Sequence, residues 1–251
     1  MNEGSVLTSI RDKIATITFS HPASNSLPSK LLNRLIENIE RTGSDDTVQI
    51  IILQSEGNKA FCAGASFDEL LTITNFEEGK QFFTGFANLI NAIRKCPKLI
   101  IGRVQGKAVG GGAGIIAATD YCFATEKADI KLSELTIGIG PFVIEPAIKR
   151  KIGVAAFSKL TIDATDWHTA YWAKEKGLFS RVFESTRDMD EYLGILAQKL
   201  STYNPNALAE MKKILWEGTE NWDELLTRRA EISGKLVLSD FAKEALKKFK
   251  K

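Results

Sequence analysis

Three short segments carry residues that could do chemistry together. Two are loops of small residues, Lys59 to Ser66 (KAFCAGAS) and Val109 to Gly114 (VGGGAG), each set behind an apolar run that reads as a strand. Side chains without bulk let backbone N–H groups approach a ligand oxygen, and two converging N–H groups make an oxyanion hole. The third is Glu134, in Lys131-Leu132-Ser133-Glu134-Leu135, a carboxylate between apolar neighbours that follows the second loop. Glycines at a strand-to-helix turn can also serve close packing alone, and Glu134 could be a strand-end acid paired with Lys131 or an arginine.

The surrounding pattern says what must position these segments. Ile14 to Phe19 alternates with period two, as an edge-like strand would, and Val48 to Leu53 is almost wholly apolar, as a strand covered on both faces would be. Between them Leu31, Leu32, Leu35, Ile36 and Ile39 recur at helical spacing, opened by Pro28-Ser29 and closed near Gly43. A second helix spans Phe76 to Lys95 and stops at Cys96-Pro97, before the strand Leu99 to Val104. A short helix, Ile115 to Thr119, and strands at Tyr121 to Ala124 and Ile130 to Leu132 follow. Strand and helix in alternation predict an α/β fold with right-handed crossovers in a largely parallel sheet.

From about Pro146 the pattern turns helical. Helices are predicted over Ile148 to Ile152, Val154 to Leu160, Asp166 to Lys176, Met189 to Thr202, Pro205 to Trp216, Trp222 to Val237 and Asp240 to Lys250, interrupted only by a strand at Arg181 to Phe183. Trp167, Trp172, Trp216 and Trp222 fall in this part, as core or interface residues. The reading is a core over residues 1–190 holding the site, and a helical region over 191–251.

Composition narrows the function. The 251 residues carry a formal charge of +2, which gives no basic face for nucleic acid. Three cysteines, Cys62, Cys96 and Cys122, have no metal-type spacing and suit free thiols in a reducing, cytoplasmic setting. No apolar stretch is long enough to span a bilayer, so neither a membrane nor a nucleic-acid partner is expected, and no metal. His21 and His168 read as turn and packing residues. Gly112-Ala113-Gly114-Ile115-Ile116-Ala117 fits a loose G-x-G-x-x-A, which leaves dinucleotide binding as a rival for the second loop.

Taken together, Ala60 to Ser66, Gly110 to Gly112 and Leu132 to Pro141 resemble, in order and spacing, the motifs of the crotonase, or enoyl-CoA hydratase/isomerase, superfamily. Pro22, Asn25, Asp120 and Ala173-Lys174-Glu175-Lys176-Gly177-Leu178 extend the resemblance over nearly the whole chain. It implies a crotonase-like spiral of parallel sheet with a helical C-terminal region that assembles a homotrimer or homohexamer. It implies an acyl-CoA thioester as substrate, with coenzyme A carried by that substrate and no other cofactor. The Ala65 and Gly111 N–H groups would hold the thioester oxygen; Ala63, Ser66, Phe67 and Asp68 would line the substrate site; Glu134 would move the proton.

One position departs from the hydratase pattern. Where hydratases of this family carry a first glutamate, this chain has Gly114, leaving Glu134 as the matched carboxylate. The stretch Gly138 to Pro146, with Pro141 and Pro146 five residues apart, resembles a branch that includes bacterial hydratases similar to methylglutaconyl-CoA hydratase of leucine breakdown. Hydration of a 2-enoyl-CoA is therefore the first expectation. Isomerisation of a 3-enoyl-CoA, another single-glutamate reaction such as hydrolysis or decarboxylation, and a non-catalytic acyl-CoA-binding subunit are the alternatives. Glu145 is the candidate second acid, against a plainer role as a first-turn acid favoured by the helix dipole.

Overall fold

A computed structural model describes residues 3–249. The chain folds as strands β1 (Ser5–Arg11), β2 (Ile14–Ser20), β3 (Ile50–Ser55), β4 (Leu99–Val104), β5 (Ala108–Val109), β6 (Tyr121–Thr125), β7 (Ile130–Lys131) and β8 (Arg181–Phe183). The helices are α1 (Ser29–Gly43), α2 (Phe67–Leu70), α3 (Phe76–Lys95), α4 (Gly111–Ala118), α5 (Glu145–Ile162), α6 (Ala170–Glu175), α7 (Thr186–Leu200), α8 (Pro205–Leu215), α9 (Trp222–Leu236) and α10 (Asp240–Phe249), with a 3₁₀ turn at Glu134–Ile137. Six strands form one sheet in the order β1-β2-β3-β4-β6-β8, parallel from β2 onward, and β5 pairs with β7 in a small parallel ribbon beside it.

The central strands form because their residues are apolar on both faces: Ile50 to Leu53 are all buried, covered by helices that the crossovers lay over the sheet. Helix α3 is bounded by its own sequence. The Asn75 side chain accepts from the Glu78 N–H at 3.0 Å, Glu77 and Glu78 lie in the first turn, and Arg94 and Lys95 lie in the last. Its stripe of Phe82, Phe83, Phe86, Leu89, Ile90 and Ile93 is buried.

Strand β1 is absent from the sequence reading, which made Ile14 to Phe19 edge-like. Here β1 pairs antiparallel with β2 and takes the edge, so β2 is an interior strand. The hairpin turn is Asp12-Lys13, both at positive φ (50° and 65°), a conformation that the twist of a two-residue hairpin favours and that aspartate adopts readily, but which Lys13 does not signal as a glycine would. Helix α6 begins at Ala170 rather than at Asp166. Ile130 and His168 exchange backbone hydrogen bonds at 2.8 and 2.9 Å, which holds the chain extended until the Thr169 cap. Gly153, at φ 75°, breaks α5 into the two segments its sequence suggests.

The C-terminal helices do not stand apart from the core. Helix α9 runs along α3 with its backbone almost touching: a Cβ on Gly79 would lie 2.8 Å from the Gly234 carbonyl oxygen, and one on Gly234 would lie 2.6 Å from the Lys80 nitrogen. Helix α8 is tied in by a buried pair, Lys212 and Asp120 at 3.0 Å. The Lys212 ammonium also donates to the carbonyls of Ile93 (2.9 Å) and Lys98 (2.8 Å), and Asp120 accepts from the Trp216 indole at 2.6 Å and the Ile100 N–H at 2.7 Å. Trp216 and Trp222 pack edge to face in the core, while Trp167 is partly exposed beneath Lys107 and Lys131. Among the described residues no helix is long and apolar enough to cross a membrane.

Candidate active site

The two small-residue loops leave the sheet at the carboxyl ends of β3 and β4, the edge where open α/β sheets bind ligands. Side-chain amides fix them. Asn25 donates to the carbonyls of Glu56 and Ala60, both at 3.0 Å, and Gln105 donates to the Ser55 hydroxyl at 2.8 Å and to the Ala60 carbonyl at 3.3 Å. The loops also bond each other: Phe61 N–H donates to the Lys107 carbonyl and Val109 N–H to the Cys62 carbonyl, both at 2.9 Å.

Along the first loop the N–H groups of Phe61, Cys62, Ala63 and Gly64 are each used, the last by the Cys62 sulfur at 3.4 Å. That of Ala65 has no protein acceptor among the described residues. In the second loop the N–H groups of Ala108, Val109 and Gly110 are used, and Gly111 opens α4, where an N–H has no helical acceptor. Gly64 sits at φ 85°, and a Cβ there would lie 2.8 Å from the Val109 oxygen and 3.5 Å from the Gly111 nitrogen. Glycine is what lets the loops touch, and the touching brings the Ala65 and Gly111 N–H groups to one cavity.

Glu134 faces them. The pairing of β5 with β7, continued by Gly110 N–H donating to the Lys131 carbonyl at 2.9 Å, delivers the 3₁₀ turn beneath the second loop. Gly138, at φ 76°, closes that turn. A Cβ on Gly110 would lie 2.7 Å from Glu134 Oε1, so the carboxylate reaches the loop only because Gly110 has no side chain. Glu134 Oε2 is buried without a hydrogen-bond partner, and Glu134 makes no ion pair among the described residues, which removes the pairing with Lys131 or an arginine considered from sequence. Burial pushes its carboxyl up to about 7. A carboxylate at that value is poised to take and return a proton near neutral pH.

The cavity between these groups is narrow, about 70 Å³, and is walled by Phe83 and Phe86 of α3, Ile137, Ile139 and the run Pro141 to Ile144. Ala63, Ala65, Phe67 and Gly111 line it; Ser66, Asp68 and Glu145 do not. Ser66 is buried as the cap of α2, its oxygen accepting from the Glu69 N–H. Asp68 is exposed in the first turn of α2. Glu145 lies in the first turn of α5, paired with Lys149 and, at 3.2 Å, with Arg229 of α9, so it is a helix-start acid rather than a second acid in the cavity.

Gly114 is the informative substitution. A Cβ there would lie 2.3 Å from Ile144 Cγ2 and 2.7 Å from Ile144 Cβ, so the space a first glutamate would need is filled by an aliphatic side chain. The dinucleotide alternative ends here too: Gly112 packs on Cys62 and Gly114 on Ile144, both buried within α4, with no room for phosphates. Burial pushes the Cys62 thiol up to about 12, which disfavours a thiolate nucleophile. His168 stacks on Trp172 away from the cavity, and His21 is occupied in the turn that holds Asn25. The aromatic and aliphatic walls escaped sequence reasoning, as did two polar lining residues, Ser133 and Ser233; the first adjoins Glu134, but the second lies on a distant helix with no local motif.

Fold and site meet in one class of enzyme. The sequence matches the enoyl-CoA hydratase/isomerase family over residues 9–250, and the chain belongs to that family. It is 28% identical to a probable enoyl-CoA hydratase of Bacillus subtilis, over 94% of this chain and 92% of the relative. It is 23% identical to a trans-2-decenoyl-[acyl-carrier-protein] isomerase of Streptococcus mutans, over 97% and 94%. The fold superimposes on the crystal structure of an enoyl-CoA hydratase from Bacillus halodurans with a TM-score of 0.90, covering 97% of this chain and 99% of that one at 23% identity. The protein is thus an enzyme of the enoyl-CoA hydratase/isomerase class.

Proposed function

We propose that this enzyme moves a double bond within an enoyl-CoA thioester, from the 3 to the 2 position, by proton transfer through Glu134. The observation that carries this reading is Ile144 standing against Gly114. Hydration by two carboxylates divides the holding of water and the delivery of a proton between them, whereas this cavity offers one carboxylate facing apolar walls.

The thioester oxygen accepts from the Ala65 and Gly111 N–H groups. Glu134 removes a proton from the α carbon, and the electron pair delocalises through the thioester onto that oxygen and along the former double bond. The protonated carboxyl then returns the same proton to the γ carbon, so nothing is gained or lost overall. Donors of this kind are each worth about 3–4 kcal/mol in the transition state where single donors have been removed. The likeness to a relative named as an isomerase supports this reading.

Hydration of a 2-enoyl-CoA, the first expectation from sequence, is the second reading. Ser133 lines the cavity next to Glu134 and could hold a water, and the Bacillus subtilis relative is named a hydratase. Mass analysis separates the two. A 3-enoyl-CoA converted to a conjugated product of unchanged mass supports isomerisation; a 2-enoyl-CoA converted at comparable rate to a product heavier by one water overturns it. Glu134→Gln should abolish either reaction while leaving thioester binding intact.

A further inference from the structure

Ser233 lines the cavity from α9, the helix farthest in sequence from the chemistry that contributes to it. Ser233 is 1% exposed, and its hydroxyl has no hydrogen-bond partner among the described residues. Several other buried hydroxyls donate to carbonyls, Thr119 to Ile116, Thr125 to Gln105, Ser201 to Gln198 and Thr219 to Trp216, all at 2.6–2.8 Å, although that of the buried Thr42 has no partner among the described residues either. Helical serines commonly bond back to the preceding turn, and Ser233 does not. Ser233 lines the cavity, so the partner of its hydroxyl is to be sought in what fills that space.

Its place along α3 shows which end of a substrate it meets. The ring of Phe86 lies against Gly111, where the thioester oxygen binds in the reading above, and Gly79, next to Gly234, marks the level of Ser233. Gly79 and Phe86 are two helical turns apart, about 10 Å along the axis. The walls between are aromatic and aliphatic, and Arg229, one turn before Ser233 on α9, is engaged with Glu145. An ionised group would be costly in such a floor, whereas one neutral oxygen fits it.

We infer that the Ser233 hydroxyl is a specificity-determining group that donates to a neutral oxygen, such as a ketone, near the distal end of the acyl chain. The inference rests on the acyl-CoA reading of the cavity. Binding of saturated thioesters by calorimetry tests it without turnover, using pentanoyl-CoA, 4-oxopentanoyl-CoA and glutaryl-CoA on the full-length enzyme and its Ser233→Ala variant. The wild type should bind the 4-oxo compound about five- to tenfold tighter than pentanoyl-CoA, the worth of one neutral hydrogen bond. Ser233→Ala should erase that preference while leaving pentanoyl-CoA binding unchanged, and Ser233→Cys, of similar volume but a weaker donor, should fall between.

Equal binding of the 4-oxo compound and pentanoyl-CoA by the wild type, a preference that survives Ser233→Ala, or a glutaryl-CoA preference above that for the ketone overturns the inference and leaves the acyl-CoA site standing. Failure of every thioester to bind overturns both.

Discussion

Replacing Glu134 by glutamine should make the protein more stable and inactive at once, and the stability gain should depend on pH in a way that identifies the carboxyl responsible. In the folded chain Glu134 titrates at about 7 because burial disfavours its charge, against an ordinary value of 4.5. The folded value is the higher one, so the folded state is the one that holds the proton more tightly. The stability Glu134 contributes is therefore fully present below about pH 4.5 and is lost as pH rises through about 7. Between pH 5 and pH 8 this amounts to about 2–3 kcal/mol.

Glutamine has no such titration. Guanidinium unfolding followed by the fluorescence of the buried Trp216 and Trp222 should show wild type and Glu134→Gln nearly alike at pH 5, with the variant ahead by about 2–3 kcal/mol at pH 8. Other groups titrate in both proteins and cancel in the difference. In parallel, kcat/KM of the wild type should rise with pH to a plateau with a midpoint near 7 as the base ionises. Parallel stability curves, or a rate flat from pH 6 to pH 8, would refute the assignment of a desolvated catalytic carboxylate to Glu134.

Gly114→Ala drives a methyl to within 2.3 Å of Ile144 and should cost about 1–3 kcal/mol in denaturant unfolding, most of which should vanish in an Ile144→Ala background. That background also makes room for Gly114→Glu, and the pair should shift product mass toward the hydrated thioester. Gly111→Ala sets a methyl 2.3 Å from the Phe86 ring and displaces the first N–H of α4, so kcat should fall about a hundredfold while thioester binding changes little. Asp120→Ala leaves the Lys212 ammonium buried without its carboxylate and should destabilise by about 3–5 kcal/mol, measured by the same unfolding assay.

Sequence alone determined much of this enzyme because its local signals are self-contained. Period-two and continuous apolar runs marked β2, β3 and β4, and a cap, a stripe and a proline bounded α3, since each depends on neighbours a few residues away. The small residues of the two loops could be read as an oxyanion hole for the same reason, whereas Glu134 was assigned the proton through the resemblance of the motifs to a known family. Strand β1 was not legible, because its Asp12-Lys13 turn places a lysine at positive φ where a glycine would mark the hairpin.

Tertiary structure decided whatever depended on space shared between distant segments. It withdrew Ser66, Asp68 and Glu145 from the cavity, since a cap, an exposed first turn and an ion pair with Arg229 are set by packing. It brought in Ser233 from α9, where the Gly79–Gly234 crossing sets one helix on another. It also gave Gly114 its meaning. In sequence that glycine is a missing carboxylate; in the fold it is the place Ile144 occupies, because a close-packed interior has no room for both.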